Sequence, residues 1–186
     1  MKIKEKIWEQ SLRQTVDIEA MQFGFMPGRG TTDAIFVLRQ LIEKYNEGAK
    51  ELYMIFVDLE KAFDRVPRSL IEWALRRKGV PERLVAAIMV MYNQAETVVQ
   101  IEGEVSDSFM VKVGVHQGSI LSPLLFNIVL DEIAKVVDKE QLMELLYADD
   151  LVLIGRTQDE VKEKFSKWKE ALEQKRLKVN LSKTRS

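Results

Sequence analysis

Apolar positions recur at helical spacing over residues 3–21, where Ile3, Ile7, Trp8, Leu12 and Val16 share one face. A loop rich in glycine follows, Gly24-Phe25-Met26-Pro27-Gly28-Arg29-Gly30. Thr31, Thr32 or Asp33 then caps a second helix through Ile35, Leu38, Leu41 and Ile42 to Gly48. The run Leu52-Tyr53-Met54-Ile55-Phe56-Val57 is short and wholly apolar, which predicts a strand buried on both faces. Two helices are predicted at 67–78 and 81–94, each opened by a proline and parted by Gly79. Alternation from Thr97 to Ile101 and from Phe109 to Val113 predicts a hairpin. Ser119 or Ser122 starts an apolar helix to 137. Leu145-Leu146-Tyr147 and Leu151-Val152-Leu153-Ile154 read as strands pinched around Ala148-Asp149-Asp150. A charged amphipathic helix, 158–175, buries Val161, Phe165, Trp168 and Leu172, and Leu177–Asn180 reads as one more strand. Trp8, Trp73 and Trp168 fall on apolar helix faces and read as core. Helices and hairpins are interleaved, so the predicted class is α+β.

The bulk numbers narrow the chemistry. A chain of 186 residues with 46% hydrophobic and 31% charged residues builds a core and is not disordered. Its 28 basic residues are matched by 29 acidic ones, so any nucleic-acid surface must be local. No cysteine is present, which excludes disulfides and thiolate metal sites and permits an intracellular setting. The single histidine, His116, cannot build a multi-histidine zinc site, and it reads as incidental to the chemistry. Neither a signal peptide nor an apolar span of about 20 residues is visible, so no membrane role is expected.

Acidic residues then draw the eye. Asp58 closes the apolar strand, and Asp149 and Asp150 sit at the tip of an apolar hairpin. Were these strands neighbours, three carboxylates would converge at one sheet edge. Asp-Asp lacks the turn chemistry of Asn-Gly or Asp-Gly, so two like charges at a hairpin tip call for a reason. Hard oxygen ligands without thiolates favour magnesium or manganese. Two such ions support phosphoryl transfer. Plain solvation of acidic strand ends accounts for the same residues without any catalysis.

A more specific resemblance lies in the ordered motifs. Phe56-Val57-Asp58-Leu59-Glu60-Lys61-Ala62-Phe63-Asp64 resembles the first palm motif of reverse transcriptases. Gln117-Gly118-Ser119-Ile120-Leu121-Ser122-Pro123-Leu124-Leu125-Phe126-Asn127 resembles the second, and Tyr147-Ala148-Asp149-Asp150 the third. Leu177-Lys178-Val179-Asn180-Leu181-Ser182-Lys183-Thr184 is similar to the fourth, and Gln22-Phe23-Gly24-Phe25-Met26-Pro27-Gly28-Arg29 to the upstream fingers motif. The set covers residues 22–184 and has the flavour of non-long-terminal-repeat retrotransposons, with group II intron enzymes as relatives.

The resemblance implies a right-hand polymerase: residues 1–51 partial fingers, and 52–186 a palm of antiparallel sheet backed by helices. The stretch at 65–113 would associate with the fingers. The fourth motif lies close to Ser186, so a thumb is expected outside this sequence. The implied activity is RNA-directed DNA polymerisation on an RNA template with a DNA primer, consuming deoxynucleoside triphosphates. Asp58, Asp149 and Asp150, with the Leu59 carbonyl, would hold two Mg2+ ions or Mn2+ in their place.

Other roles come from the same resemblance. Phe63 would be a steric gate against the ribose 2′-hydroxyl, its alternative being a core ring. Gln117 and Gly118 would touch template or nucleotide, or form only a loop-to-helix junction. Arg29 would meet the triphosphate, although Met26 stands where a second arginine is commoner. Tyr147 and Ala148 would flank the primer terminus. Lys183 would be general acid to pyrophosphate or a plain exposed lysine. Two further readings stay open: a silent remnant that at most binds RNA, and an RNA-copying RNA polymerase, against which Phe63 speaks.

Overall fold

A computed structural model of the chain describes residues 2–93, 96–116, 118–137 and 144–185. Helices α1 (Lys2–Thr15) and α2 (Thr31–Glu47) precede strand β1 (Tyr53–Val57). Helices α3 (Ala62–Arg65), α4 (Arg68–Arg77) and α5 (Glu82–Asn93) follow. Four two-residue strands come next: β2 (Glu96–Thr97), β3 (Gln100–Ile101), β4 (Glu104–Val105) and β5 (Phe109–Met110). Helix α6 (Ser122–Val137), strands β6 (Glu144–Tyr147) and β7 (Asp150–Gly155), and helix α7 (Gln158–Gln174) complete the order.

The central sheet has the order β1-β7-β6 and is antiparallel throughout. Strand β7 is the middle one, and its alternate side chains serve two cores. Leu151 and Leu153 join the main core with Ile55 and Val57 of β1, with α4, α5 and α6, and with Val161, Trp168 and Leu172 of α7. Val152 and Ile154 point the other way, to Leu145, Phe23 and Ala34, with Val37, Leu38 and Leu41 of α2 packed alongside. The period of two along a strand thus explains why β7 is apolar without a break. β1 departs from this: Phe56 is exposed. Its outer edge pairs with the chain's end, as Phe56 and Arg185 exchange both backbone hydrogen bonds.

Several elements differ from the sequence pattern. Helix α1 stops at Thr15 rather than near 21. The Glu19 N–H donates to Asp131 Oδ1 at 2.7 Å, and the Phe23 N–H donates to the Leu146 carbonyl at 2.8 Å. Residues 21–23 therefore lie parallel beside β6 as an extra fragment of sheet. The predicted hairpin of 97–101 with 109–113 is two nested ladders, β2 with β5 and β3 with β4. Glu102 and Gly103 turn the inner one, both at positive φ, the backbone a tight hairpin needs. The strand expected at 177–180 reduces to a single bridge, Val179 with Leu59. Trp168 is fully buried, whereas Trp8 and Trp73 only line the core.

Candidate active site

Antiparallel pairing of Val57 with Leu151 fixes the geometry. It sets the end of β1 beside the start of β7, so Asp58 follows the one and Asp150 opens the other. Tyr147 pairs with Asp150, which leaves Ala148 and Asp149 as the two central residues of the β6–β7 turn. The turn is therefore Ala-Asp rather than Asp-Asp. Ala148 takes φ +57, which a two-residue hairpin requires and a Cβ-bearing residue resists. The three acids thus share one end of one sheet.

Their charges feel one another. The Asp150 carboxyl is pushed above the usual carboxylate range by loss of hydration, then by Asp149 and Asp58, with Lys183 opposing. Lys183 Nζ lies 3.9 Å from Asp58 Oδ2. Among the described residues, no three His, Cys, Asp or Glu side chains stand close enough to enclose an ion. Lys183 supplies counter-charge to Asp58. The donor set still suits a hard divalent cation: carboxylates whose repulsion a cation would relieve. Backbone adds to it. The Leu59–Val179 bridge uses the Asp58 carbonyl, which accepts from Asn180 at 2.8 Å, and the Glu60 N–H. The Leu59 carbonyl takes no part in that bridge.

A cleft of about 330 Å³ runs from Asp58 and Asp150 under α2, with Tyr147, Thr31, Ile35 and Phe56 also in its lining. The Thr31 hydroxyl, at the start of α2, donates to the Tyr147 hydroxyl at 2.6 Å. Gly30 is the helix cap here, and Asp33 reaches back to its N–H at 2.7 Å. A larger cleft, about 850 Å³, opens farther along α2 and holds none of the predicted site residues.

The other predicted residues divide. Phe63 is half-buried, tilted on Phe126 with centroids 4.7 Å apart and edge-on to Phe25 at 6.3 Å. One side of the ring belongs to the core and the other meets the loop of residues 24–30. Gly118 is exposed at φ +78 with open space where a side chain would be. Gln117 lies outside the described residues. Arg29 does not turn toward the acids: its guanidinium donates to the Ala20 carbonyl and, at 2.9 Å, to the Gln22 carbonyl, and stacks on Phe23. His116 stacks on Tyr92, and burial, aided by Arg68, lowers its pKa.

Sequence reasoning missed two supporting residues. Glu5, buried on α1, accepts from Ser119 Oγ at 2.8 Å and from the Ile120 N–H at 3.2 Å, and so holds the loop after Gly118. Asn127, buried on α6, donates to the Gly24 carbonyl at 2.7 Å. Their signal was a charged or polar residue on an apolar helix face, whose partners are distant in sequence.

The family described as "Reverse transcriptase (RNA-dependent DNA polymerase)" matches residues 1–186. The chain belongs to that family, whose members generally use divalent metals. It is 29% identical over 170 residues to the Retrovirus-related Pol polyprotein from type-1 retrotransposable element R2 of Nasonia vitripennis, covering 87% of this chain and 17% of that protein. A Popillia japonica R2 polyprotein is 33% identical over 135 residues, 67% of this chain and 22% of its own. The chain thus spans 17% and 22% of the length of these two relatives. Among solved structures, apo telomerase from Candida tropicalis, truncated from its C-terminal domain, superposes with a TM-score of 0.71 at 18% identity. The match covers 98% of this chain and 39% of that one. The fold is that of a reverse-transcriptase fingers–palm unit. No described helix is long and apolar enough to cross a membrane.

Proposed function

We propose that this chain is the polymerising core of a retroelement's RNA-directed DNA polymerase, extending a DNA primer on an RNA template. The observation that carries the reading is the shared sheet end: Asp58 after β1 and Asp149-Asp150 at the β6–β7 turn. Residues 1–51 act as fingers and 52–186 as palm, with 65–113 lying toward the fingers.

Asp58, Asp149 and the Leu59 carbonyl would hold two Mg2+ ions, or Mn2+, with Asp150 a less direct acidic partner. Ions held there would supply activation of the primer hydroxyl and neutralisation of the triphosphate and leaving pyrophosphate. The chain's own groups do the rest. Asp58 and Asp149 would supply the carboxylates that hold those ions. Phe63, presenting one ring side toward Phe25, leaves no room and no polar partner for a 2′-hydroxyl. Gly118, with open space beside it, admits the nucleotide or template backbone, and Gln117 supplies an amide. Tyr147 and Ala148 flank the primer end. Lys183, near Asp58, donates a proton to departing pyrophosphate. Arg29 would have to leave its two carbonyl partners to meet the triphosphate.

A second reading, a silent relative that at most binds RNA, draws support from that engaged Arg29. Primer extension separates the two. The chain joined to a relative's duplex-gripping domain is expected to extend a DNA primer on RNA with magnesium, and Asp149→Asn to abolish extension while leaving the melting temperature in place. Duplex binding without any extension by the unsubstituted protein supports the silent reading.

A further inference from the structure

Gln22 lies 1% exposed between the loop of residues 24–30 and the acidic turn. Its side-chain carbonyl accepts two hydrogen bonds, from the Gly24 N–H at 2.9 Å and from the Ala148 N–H at 3.2 Å. The Ala148 N–H is the first amide of the turn that carries Asp149. We infer that Gln22 is a positioning residue: it sets the backbone of the acidic turn and fastens that turn to the fingers loop. The inference deepens the polymerase reading and rests on it for its catalytic meaning.

Three observations converge on this role. Ala148 adopts φ +57, a conformation that alanine abandons unless its surroundings hold it. A donor–acceptor bond at its own N–H is a direct hold. Next, the Gln22 amide nitrogen is buried and makes no hydrogen bond among the described residues. A buried donor left unmatched is costly. An apolar side chain would fill the same space without that cost, so the acceptor oxygen is the part the site uses. Third, the contact is built to be close. A Cβ at Gly24 would lie 2.9 Å from both the Ala148 Cα and the Tyr147 carbonyl carbon, nearer than side chains approach backbone. Only glycine lets the loop come so near, and the Asn127 amide holds the far side of Gly24 through its carbonyl.

The consequence is mechanical. The loop that carries Phe25 and Arg29 and the turn that carries Asp149 share one acceptor. Movement of the loop toward a nucleotide is then felt at Ala148, one residue before the acid. Packing alone would not require this, since Leu146 already bonds residues 21 and 23 through its own backbone.

Amide hydrogen exchange on this chain, read residue by residue with Mn2+ affinity and melting temperature, tests the inference. In the unsubstituted chain, Ala148 and Gly24 should exchange slowly. Gln22→Met keeps length and apolar bulk but removes the acceptor. It is expected to speed exchange at Ala148 and Gly24 by about tenfold, one hydrogen bond's worth. Ladder amides of β7 should stay as slow as before, and Mn2+ binding should weaken severalfold. Gln22→Glu, which keeps an acceptor, should hold both amides slow. Fast Ala148 exchange in the unsubstituted chain overturns the proposal, even if no variant folds. So does equal acceleration of all core amides in Gln22→Met, which marks a merely structural residue. If the chain binds no Mn2+ while exchange behaves as expected, the polymerase reading falls and the Gln22 hold stands.

Discussion

Lys183 Nζ lies 3.9 Å from Asp58 Oδ2, so the chain's last motif delivers a cation to its first acid. The lysine is largely exposed, and an exposed pair is worth under about 1 kcal/mol. Lys183→Met should therefore leave melting almost unchanged. Freed of a competitor, Asp58 should bind Mn2+ up to about fivefold more tightly, the most that such a pair can contribute. Nucleotide incorporation should move the opposite way, falling about 100-fold with the loss of a general acid. A titration and a single-turnover assay check both. Parallel loss of affinity and incorporation would place Lys183 in ion binding instead.

Asp150 makes a pH prediction. Its carboxyl pKa is raised in the folded chain, chiefly by lost hydration and then by Asp149 and Asp58. A raised carboxylate contributes stability below its unfolded value, near 3.8, and loses it as pH rises through the folded value. At neutral pH the charge is therefore a burden. Asp150 is solvent-exposed, which screens the repulsion, so Asp150→Asn should raise the melting temperature at pH 7 only slightly. The advantage should vanish near pH 3. Melting curves with chelator across that range measure it, and a loss of stability at pH 7 would contradict the repulsion.

Glycine substitutions should rank by space. A methyl at Gly24 meets the backbone of Tyr147 and Ala148, which cannot rotate aside. Gly24→Ala should cost about 2–3 kcal/mol by overpacking and weaken Mn2+ binding. Gly28 has φ +72 but open space around it, so Gly28→Ala should cost only about 1 kcal/mol of backbone strain. Denaturant midpoints compare the pair, and equal costs would mean the Gly24 approach is not close in solution.

Phe63 and Phe126 stack, yet their losses should differ in kind. Phe126 is fully buried, and Phe126→Ala should cost about 3–5 kcal/mol. Phe63→Val removes a half-exposed ring and should cost roughly 1–2 kcal/mol. In the chain joined to a duplex-gripping domain, it should also raise ribonucleotide use relative to deoxynucleotide. An unchanged ratio with a large melting loss would make Phe63 a core ring only.

Legibility followed the range of the interactions. β1 running up to Asp58, the β6–β7 hairpin and the amphipathic α7 were readable because period-2 and helical patterns are local. The end of α1 was not, since Asp131, more than a hundred positions away, takes the Glu19 N–H. Val16 continues the helical face of Leu12, which gave no sign of the early stop. The inner hairpin at Glu102-Gly103 was written in the sequence, a glycine following a polar residue, but its two-residue strands carry too few side chains to show a period.

The site was legible in part. Motif order named the acids, and only β1–β7 pairing could show that they share a sheet end. The same motif reading placed Arg29 at the triphosphate, while folding gave its guanidinium to the Ala20 and Gln22 carbonyls. Gln22, Glu5 and Asn127 act on backbone groups far along the chain, and residue type alone does not say whose N–H or carbonyl a buried amide or acid will hold.

Paramagnetic broadening of backbone amide signals by Mn2+, added in small steps to this chain, tests the central claim most directly. One ion site at the sheet end predicts that Asp58, Leu59, Ala148, Asp149 and Asp150 fade together at the lowest concentrations, and that Asp149→Asn abolishes the effect. Broadening first at other acidic stretches, or separate responses of Asp58 and Asp149, would contradict a shared metal-binding centre.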